Sequence, residues 1–240
     1  MKLGEKIRSL RLKKNLKQSD LANALQVSPQ AVSKWEKDSN APDIFLLVRL
    51  SRLFGVSTDY LLGVHDPRQG IFEATVFCSS LRHFAERSTQ VTSRELADTA
   101  NTLFYPLTEC VLRQDGVPVK YVGDGFLCFF SGAGHADRAA EAAIRSKKTT
   151  GNESLVITLS SGDIYVGSIG HPDYSSRDIT GETVNLAFLI APWVGKNCKS
   201  GIGITSSTAA NFGKKFVLGK TAKVSVPALR SRIGISELKV

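Results

Sequence analysis

The chain has 240 residues, 42% of them hydrophobic, which supports one large core or a small domain beside a medium one. Its longest apolar runs, such as "GFLCFF", fall far short of the roughly 20 residues that a membrane span needs, and the charged start "MKLGEKIRSLRLKKN" lacks the apolar core of a signal peptide, so a cytoplasmic protein with no membrane partner is expected. A formal charge of +9 makes a polyanion a plausible partner, and the four widely spaced cysteines (Cys78, Cys110, Cys128, Cys198), without CxxC or Cys/His pairing, read as reduced, mostly buried thiols and not as zinc ligands.

From Met1 to about Gly63 the apolar residues follow a helical period, which predicts five short helices. The first, around Leu3 to Lys14, places Leu3, Ile7, Leu10 and Leu12 on one side and Lys6, Arg8, Arg11, Lys13 and Lys14 largely on the other. The second starts near Gln18 and packs through Leu21, Ala24 and Leu25 before the break "QVS". Ser28 is a good N-cap and Pro29 suits the first helical position, so "SPQAVSKWEKD" opens a third helix. Two helices joined by so short a turn form a helix-turn-helix.

The stretches "LKQSDLANALQVSPQAVSKWEKDSNAPD" and "LLVRLSRLFGVSTDYLLG" resemble the Xre and lambda-repressor family of DNA-binding domains over the whole segment. The resemblance implies that the third helix enters the major groove of double-stranded operator DNA. Gln30, Ala31 and Lys34 then face base edges, with Ser28 and Ser33 beside them, while Gln18, Lys37 and Asn40 hold phosphates. Val32 and Trp35 are assigned to the core. Such modules usually bind as dimers on two half-sites, so another part of the chain must supply a two-fold axis.

The polar segment "GVHDPRQG" and the change of periodicity after it place the boundary: residues 1–64 the helix-turn-helix domain, 65–70 a linker, 71–240 a second domain. The second domain reads as a strand "FEATVFC", a helix from about Leu81, and a long helix "SRELADTANTLFYPLTECVLRQ". A strand-turn-strand "KYVGDGFLCFF" and an Ala-rich helix "HADRAAEAAIRSKK" follow. Then come a strand pair "SLVITLSSGDIYVGSIG", "DITGETVNLAFLI" as a turn leading into a helix, a strand near "GIGITSS" and strands around "KKFVLG" and "RIGISEL". This is an α+β sandwich of the ferredoxin-like kind, helices over a mostly antiparallel sheet.

Three blocks in this domain, "ATVFCSSLRHF", "GVPVKYVGDGFLCFF" and "GDIYVGSIGHPDYSSRDITGETVNLAFL", resemble the class III nucleotidyl cyclases in order and spacing. In that family two aspartates hold two metals, and an Asn-x-Ala-x-Arg run orients the ribose and stabilises the transition state. By the resemblance, Asp124 occupies the hairpin metal position and could still touch a metal. Ser80 stands where the other aspartate belongs, and the run reads Asn185, Leu186, Ala187, Phe188, Leu189, with Leu189 in the Arg position. A hydroxyl cannot balance a dication as a carboxylate does, and losing one preorganised transition-state donor costs on the order of a hundred- to a thousandfold in rate. A pseudo-cyclase without catalytic residues or a metal site is therefore expected.

The positions that recognise adenine in the family survive as Lys120 and Asp178, where the Lys donates to a ring nitrogen and the Asp accepts from the exocyclic amine. Ser79, Ser80 and Arg82, with His83 nearby, form a set able to hold phosphate without metal; alternatively Arg82 and His83 are solvent-facing helix residues. No cofactor is required, and a nucleotide, adenine-type favoured, is the expected ligand. Because cyclase domains dimerise about a two-fold axis, the leading expectation is a homodimeric transcription regulator, a repressor, whose nucleotide-binding cyclase-like domain controls DNA binding. The alternatives are a ligand-free dimerisation scaffold and an active cyclase coupled to DNA binding.

Overall fold

In a computed structural model the described residues are 2–63, 70–171, 176–226 and 232–240, and the chain divides into two units, residues 1–69 and 70–240. The linker expected at 65–70 lies, apart from Gly70, outside the described residues.

The first unit consists of α1 (Leu3–Lys13), α2 (Gln18–Leu25), α3 (Pro29–Glu36), α4 (Ile44–Phe54) and α5 (Thr58–Leu62). Side-chain oxygens of Ser28, Asp43 and Ser57 accept amides at the starts of α3, α4 and α5, and Gln26 in the left-handed region closes α2 so that the chain can turn into α3. Ile7, Leu10, Leu21, Leu25, Val32, Trp35, Leu50, Phe54 and Leu61 form its core. Two assignments change. Leu12 and Ala24 are exposed, while Arg11 and Ala22 are buried. The heptad-like step from Ile7 continues to Arg11, not Leu12, and the charge is tolerated there because Arg11 donates to Glu36 Oε1 and Oε2 at 2.6 and 3.0 Å.

The second unit contains β1 (Ile71–Leu81), α6 (Phe84–Ser88), α7 (Ser93–Leu112), β2 (Val117–Val122), β3 (Gly125–Ser131) and α8 (His135–Thr150). It continues through β4 (Leu155–Ile169), β5 (Ser176–Thr180), α9 (Glu182–Asn197), β6 (Ile202–Thr205), α10 (Ser206–Ala210), β7 (Ala222–Ser225) and β8 (Arg232–Glu237). The strand order is β2-β3-β1-β4-β6-β8-β7, with β5 beside β4. Among the described strands only β4 and β6 pair in parallel. Phe77, Phe126 and Phe130 pack under α7 and α8 on one face, and Val76, Cys78 and Leu127 pack with Val184 and Ala187 of α9 on the other. This is the expected α+β architecture.

Four local expectations are corrected. The helix expected from Leu81 starts at Phe84, because Leu81 still pairs with Leu155 in the ladder. "SLVITLSSGDIYVGSIG" is one strand, since Ser160 to Asp163 stay in register with Val76 to Glu73 and do not turn. Asp178 sits in strand β5 opposite Gly167, not in a turn. Around "KKFVLG" only Leu218 bridges, to Leu238, and the strand beside β8 is Ala222–Ser225.

Candidate functional site

On the first unit, the helix-turn-helix presents the exposed side chains of Ser28, Gln30, Lys34, Lys37 and Asn40, with Ala31 and Ser33 half-buried between them and Val32 and Trp35 in the core. The 3.6-residue period separates the two sets cleanly, so Gln30 and Lys34, four apart, lie on one outward face. Two predicted contacts are already engaged within the fold. Ser28 Oγ accepts from Ala31 N at 3.2 Å, and Gln18 Nε2 donates to Glu36 Oε2 at 2.8 Å. Burial alone would push the Glu36 carboxyl up, but the hydrogen bonds from Arg11 and Gln18 and the charges of Arg11 and Arg8 hold it below its ordinary value.

On the second unit, the site is built around the β2–β3 hairpin. Val122 pairs with Gly125, leaving Gly123 and Asp124 as a two-residue turn. Gly123 takes φ +58°, and a Cβ on Gly125 would stand 3.1 Å from Val122 O and 3.3 Å from Ser79 O, so the glycines let the hairpin tip close against the end of β1. Asp124 Oδ2 there accepts the amide of Leu81 at 2.6 Å. The carboxylate thus already fixes the end of β1, next to Ser80.

Asp124, Ser79, Ser80 and Arg82 come together in the lining of a cleft of about 730 Å³, whose far wall is α9 through Phe188, Ala191, Pro192, Gly195 and Lys196. Cys78 lies at its base with its thiol pushed up to about 12, by burial first and by the charge of Asp124 second. Strand alternation separates the two serines: Ser80 shares the α9 side with Cys78, whereas Ser79 shares the α7/α8 side with Phe77 and Leu81. Ser79 is buried and its Oγ has no hydrogen-bond partner among the described residues. Arg82 donates through Nη2 to the carbonyl of Cys198 at 3.1 Å, and its buried Nε has no partner among the described residues. Among the described residues Asp124 is the only carboxylate lining this cleft, beside Arg82, His83 and Lys196. That donor set does not fit a two-metal centre, which needs several oxygen donors and net negative charge, and no cluster of three potential metal ligands occurs among the described residues.

Lys120 and Asp178 meet elsewhere on the same unit. Lys120 Nζ donates to Asp178 Oδ2 at 2.5 Å, joining β2 to β5, while Asp178 Oδ1 accepts its neighbour's amide at Ile179. Asp178 also lines a second cleft of about 500 Å³ with Phe72, Val119, Phe129 and Val166, over the part of the sheet next to β5. Asn185 and Leu189 lie one turn apart on the exposed side of α9. Lys196 was missed in the sequence; a lysine in the last turn of a helix reads as an ordinary complement to the helix dipole.

Residues 7–61 match the family model described as Helix-turn-helix. The N-terminal unit is a helix-turn-helix domain. It is 40% identical over 63 residues to the HTH-type transcriptional regulator ImmR of Bacillus subtilis (strain 168), covering 26% of this chain and 50% of that protein. It is 44% identical over 62 residues to the HTH-type transcriptional activator BcrR of Enterococcus faecalis, covering 26% of this chain and 30% of that protein. The chain thus spans half or less of these two relatives, and the shared part is the helix-turn-helix unit. The second unit has the fold of the nucleotidyl cyclases. The adenylyl cyclase CyaB from P. aeruginosa superposes with a TM-score of 0.63 at 22% identity, covering 71% of this chain and 95% of that one. The guanylyl cyclase Cya2 does so with 0.61 at 21% identity, covering 70% and 92%. No helix among the described residues is long and apolar enough to cross a membrane.

Proposed function

We propose that the protein is a homodimeric, sequence-specific DNA-binding transcription regulator whose cyclase-like unit is a nucleotide sensor and not an enzyme. The α3 face reads the major groove through Gln30, Ala31 and Lys34, with Lys37 and Asn40 on the phosphates. The relatives named above are called a transcriptional regulator and a transcriptional activator, which supports this half of the reading.

The observation that carries the sensor half is the composition of the cleft at Asp124: among the described residues one carboxylate, already accepting the Leu81 amide, beside Arg82, His83 and Lys196. A cyclisation site must hold dications and meet charge growing on the phosphate, and Ser80 and Leu189, at the two matching positions, supply neither a metal carboxylate nor a transition-state guanidinium. A cationic, metal-poor cleft suits phosphate binding. The Lys120–Asp178 pair, one donor and one acceptor held together, suits an adenine edge once the base displaces their mutual contact. Dimerisation through the sheet face at Phe72, Val117, Val119 and Val166 would bury apolar surface that the described helices leave open and would supply the two-fold that paired half-sites require.

A thermal-shift screen of the full chain with adenine and guanine nucleotides tests the sensor, since a ligand bound to the folded state raises stability by mass action. Incubation with ATP or GTP and Mg or Mn tests the enzyme alternative. A nucleotide-dependent rise in melting temperature without cyclic product is expected. Clear turnover contradicts the reading of Ser80 and Leu189.

A further inference from the structure

Beyond the cleft at Asp124, Arg82 lines a second, separate cleft of about 430 Å³ with Lys147, Lys148, Lys199, Gly151, Asn152 and Glu153. Three chain segments converge there: the end of β1, the last turn of α8 with the loop after it, and the loop between α9 and β6. Each contributes at least one cation, so four positive side chains face one acidic side chain, Glu153, with Ser200 and Val240, the last residue of the sequence, completing the lining.

Helix dipoles account for a lysine in a last turn, but not for this convergence. Several cations elsewhere on the unit have a carboxylate partner: Lys120 has Asp178, Lys214 has Glu141, Arg94 has Asp98 and Arg113 has Glu109. In the cleft none of the four forms an ion pair among the described residues. Lys147 donates to the carbonyls of Asn152 and Leu155, both at 2.9 Å, which fixes its ammonium at the wall with one N–H left over. Its pKa is held below the ordinary lysine value, by burial first and by the charge of Arg82 second, with Glu153 opposing. Arg82 gives only one of its five N–H groups to a protein acceptor among the described residues, the Cys198 carbonyl, and its Nε is buried and unpartnered. Gly151, with φ +56° and no atom within 4 Å of where its Cβ would stand, leaves the floor open.

We infer that this cleft binds the phosphoryl groups of a polyphosphorylated small molecule without a metal ion. Lys148 and Lys199, both exposed, supply mobile point charges; Arg82 supplies the planar fork that matches a phosphate edge, and Lys147 the fixed back wall. Arg82 is shared with the cleft at Asp124, but Lys147, Lys148 and Lys199 are not, so variants at the lysines separate this site from the nucleotide reading.

The test is a calorimetric titration of the full chain with inorganic tripolyphosphate in buffer containing EDTA. Saturable binding of tripolyphosphate is expected, with one equivalent per chain weakened at least tenfold by Lys148→Ala together with Lys199→Ala, two exposed side chains. Lys120→Ala with Asp178→Ala and, on the helical unit, Lys34→Ala with Lys37→Ala are expected to bind tripolyphosphate as the wild type does. Failure of the nucleotide sensor therefore leaves this result untouched. A competition arm with ATP identifies the source of the phosphates: displacement assigns them to a nucleotide's own tail and additive binding to a separate polyphosphate, and both uphold the site. Absence of saturable binding, or binding unchanged in the Lys148→Ala and Lys199→Ala variant, overturns it.

Discussion

Lys120 on β2 and Asp178 on β5 meet at 2.5 Å, although 58 residues separate them in sequence. The two side chains are 42% and 17% exposed, so solvent screens the pair and its loss is expected to cost less than about 1 kcal/mol of stability. Ligand binding is expected to respond quite differently: Lys120→Ala or Asp178→Ala removes a donor or an acceptor from the adenine edge and lowers nucleotide affinity at least tenfold. Melting curves with and without nucleotide separate the two effects.

The Arg11–Glu36 pair is the buried counterpart. Arg11→Met leaves the Glu36 carboxylate nearly enclosed, with Gln18 as its remaining partner, and is expected to destabilise the helical unit by about 3 kcal/mol in urea unfolding. Because Glu36 is held below its ordinary pKa, its contribution is complete above the unfolded-state value near 4.5 and disappears as pH falls through the lower folded value. Helical-unit stability in the wild type should therefore drop as the pH falls below about 4.5. The Glu36→Gln variant should lack that drop.

His135 is expected to give the second unit a pH dependence at a higher pH. Its Nδ1 lies 2.7 Å from Thr75 Oγ1, which continues to Ser161 and Thr208, and burial, the leading cause, lowers its pKa. A histidine that is harder to protonate folded than unfolded contributes no pH effect above about 6.5. Below that value the unfolded chain takes up the proton first, so stability declines until the folded pKa is passed. A melting temperature measured from pH 7.5 to 5 should fall, and His135→Gln should flatten the curve. Thr75→Val, which removes a fully buried hydroxyl from the chain, is expected to cost about 1–3 kcal/mol at any pH.

On the helical unit, Gln30→Ala and Lys34→Ala are expected to relax sequence preference by about 1–3 kcal/mol at the base pairs they contact. Lys37→Ala should weaken all sequences alike and reduce the salt dependence by about one phosphate contact. Binding to a panel of DNA duplexes at several salt concentrations distinguishes these roles.

The sequence reveals the helical unit almost completely, because caps at Ser28, Asp43 and Ser57 and a local 3.6-residue period encode it within short windows. Arg11 escaped that reading since its burial depends on Glu36, 25 residues away. In the second unit the strands and the hairpin glycines were legible, whereas the continuity of β4 through "SSGD" was not; turn-forming residues remain extended there because β1 pairs with them throughout. The family resemblance assigns Lys120 and Asp178 to one base-recognition set, but their direct contact joins strands 58 residues apart and has no local signal in the sequence. The opposed orientations of Ser79 and Ser80 could have been read from strand alternation, had β1 been carried on to Leu81. The cation cleft was invisible, because its members come from three distant segments.

The most direct measurement is DNA affinity of the full chain with and without a nucleotide identified by thermal shift, on a duplex selected in vitro by the protein itself. The account predicts that saturating nucleotide changes the dissociation constant at least fivefold, within the range of ordinary allosteric coupling, and that the change disappears in the Lys120→Ala, Asp178→Ala variant while its affinity without ligand is retained. An unchanged dissociation constant at saturating nucleotide, or an equal change in the variant, would contradict it.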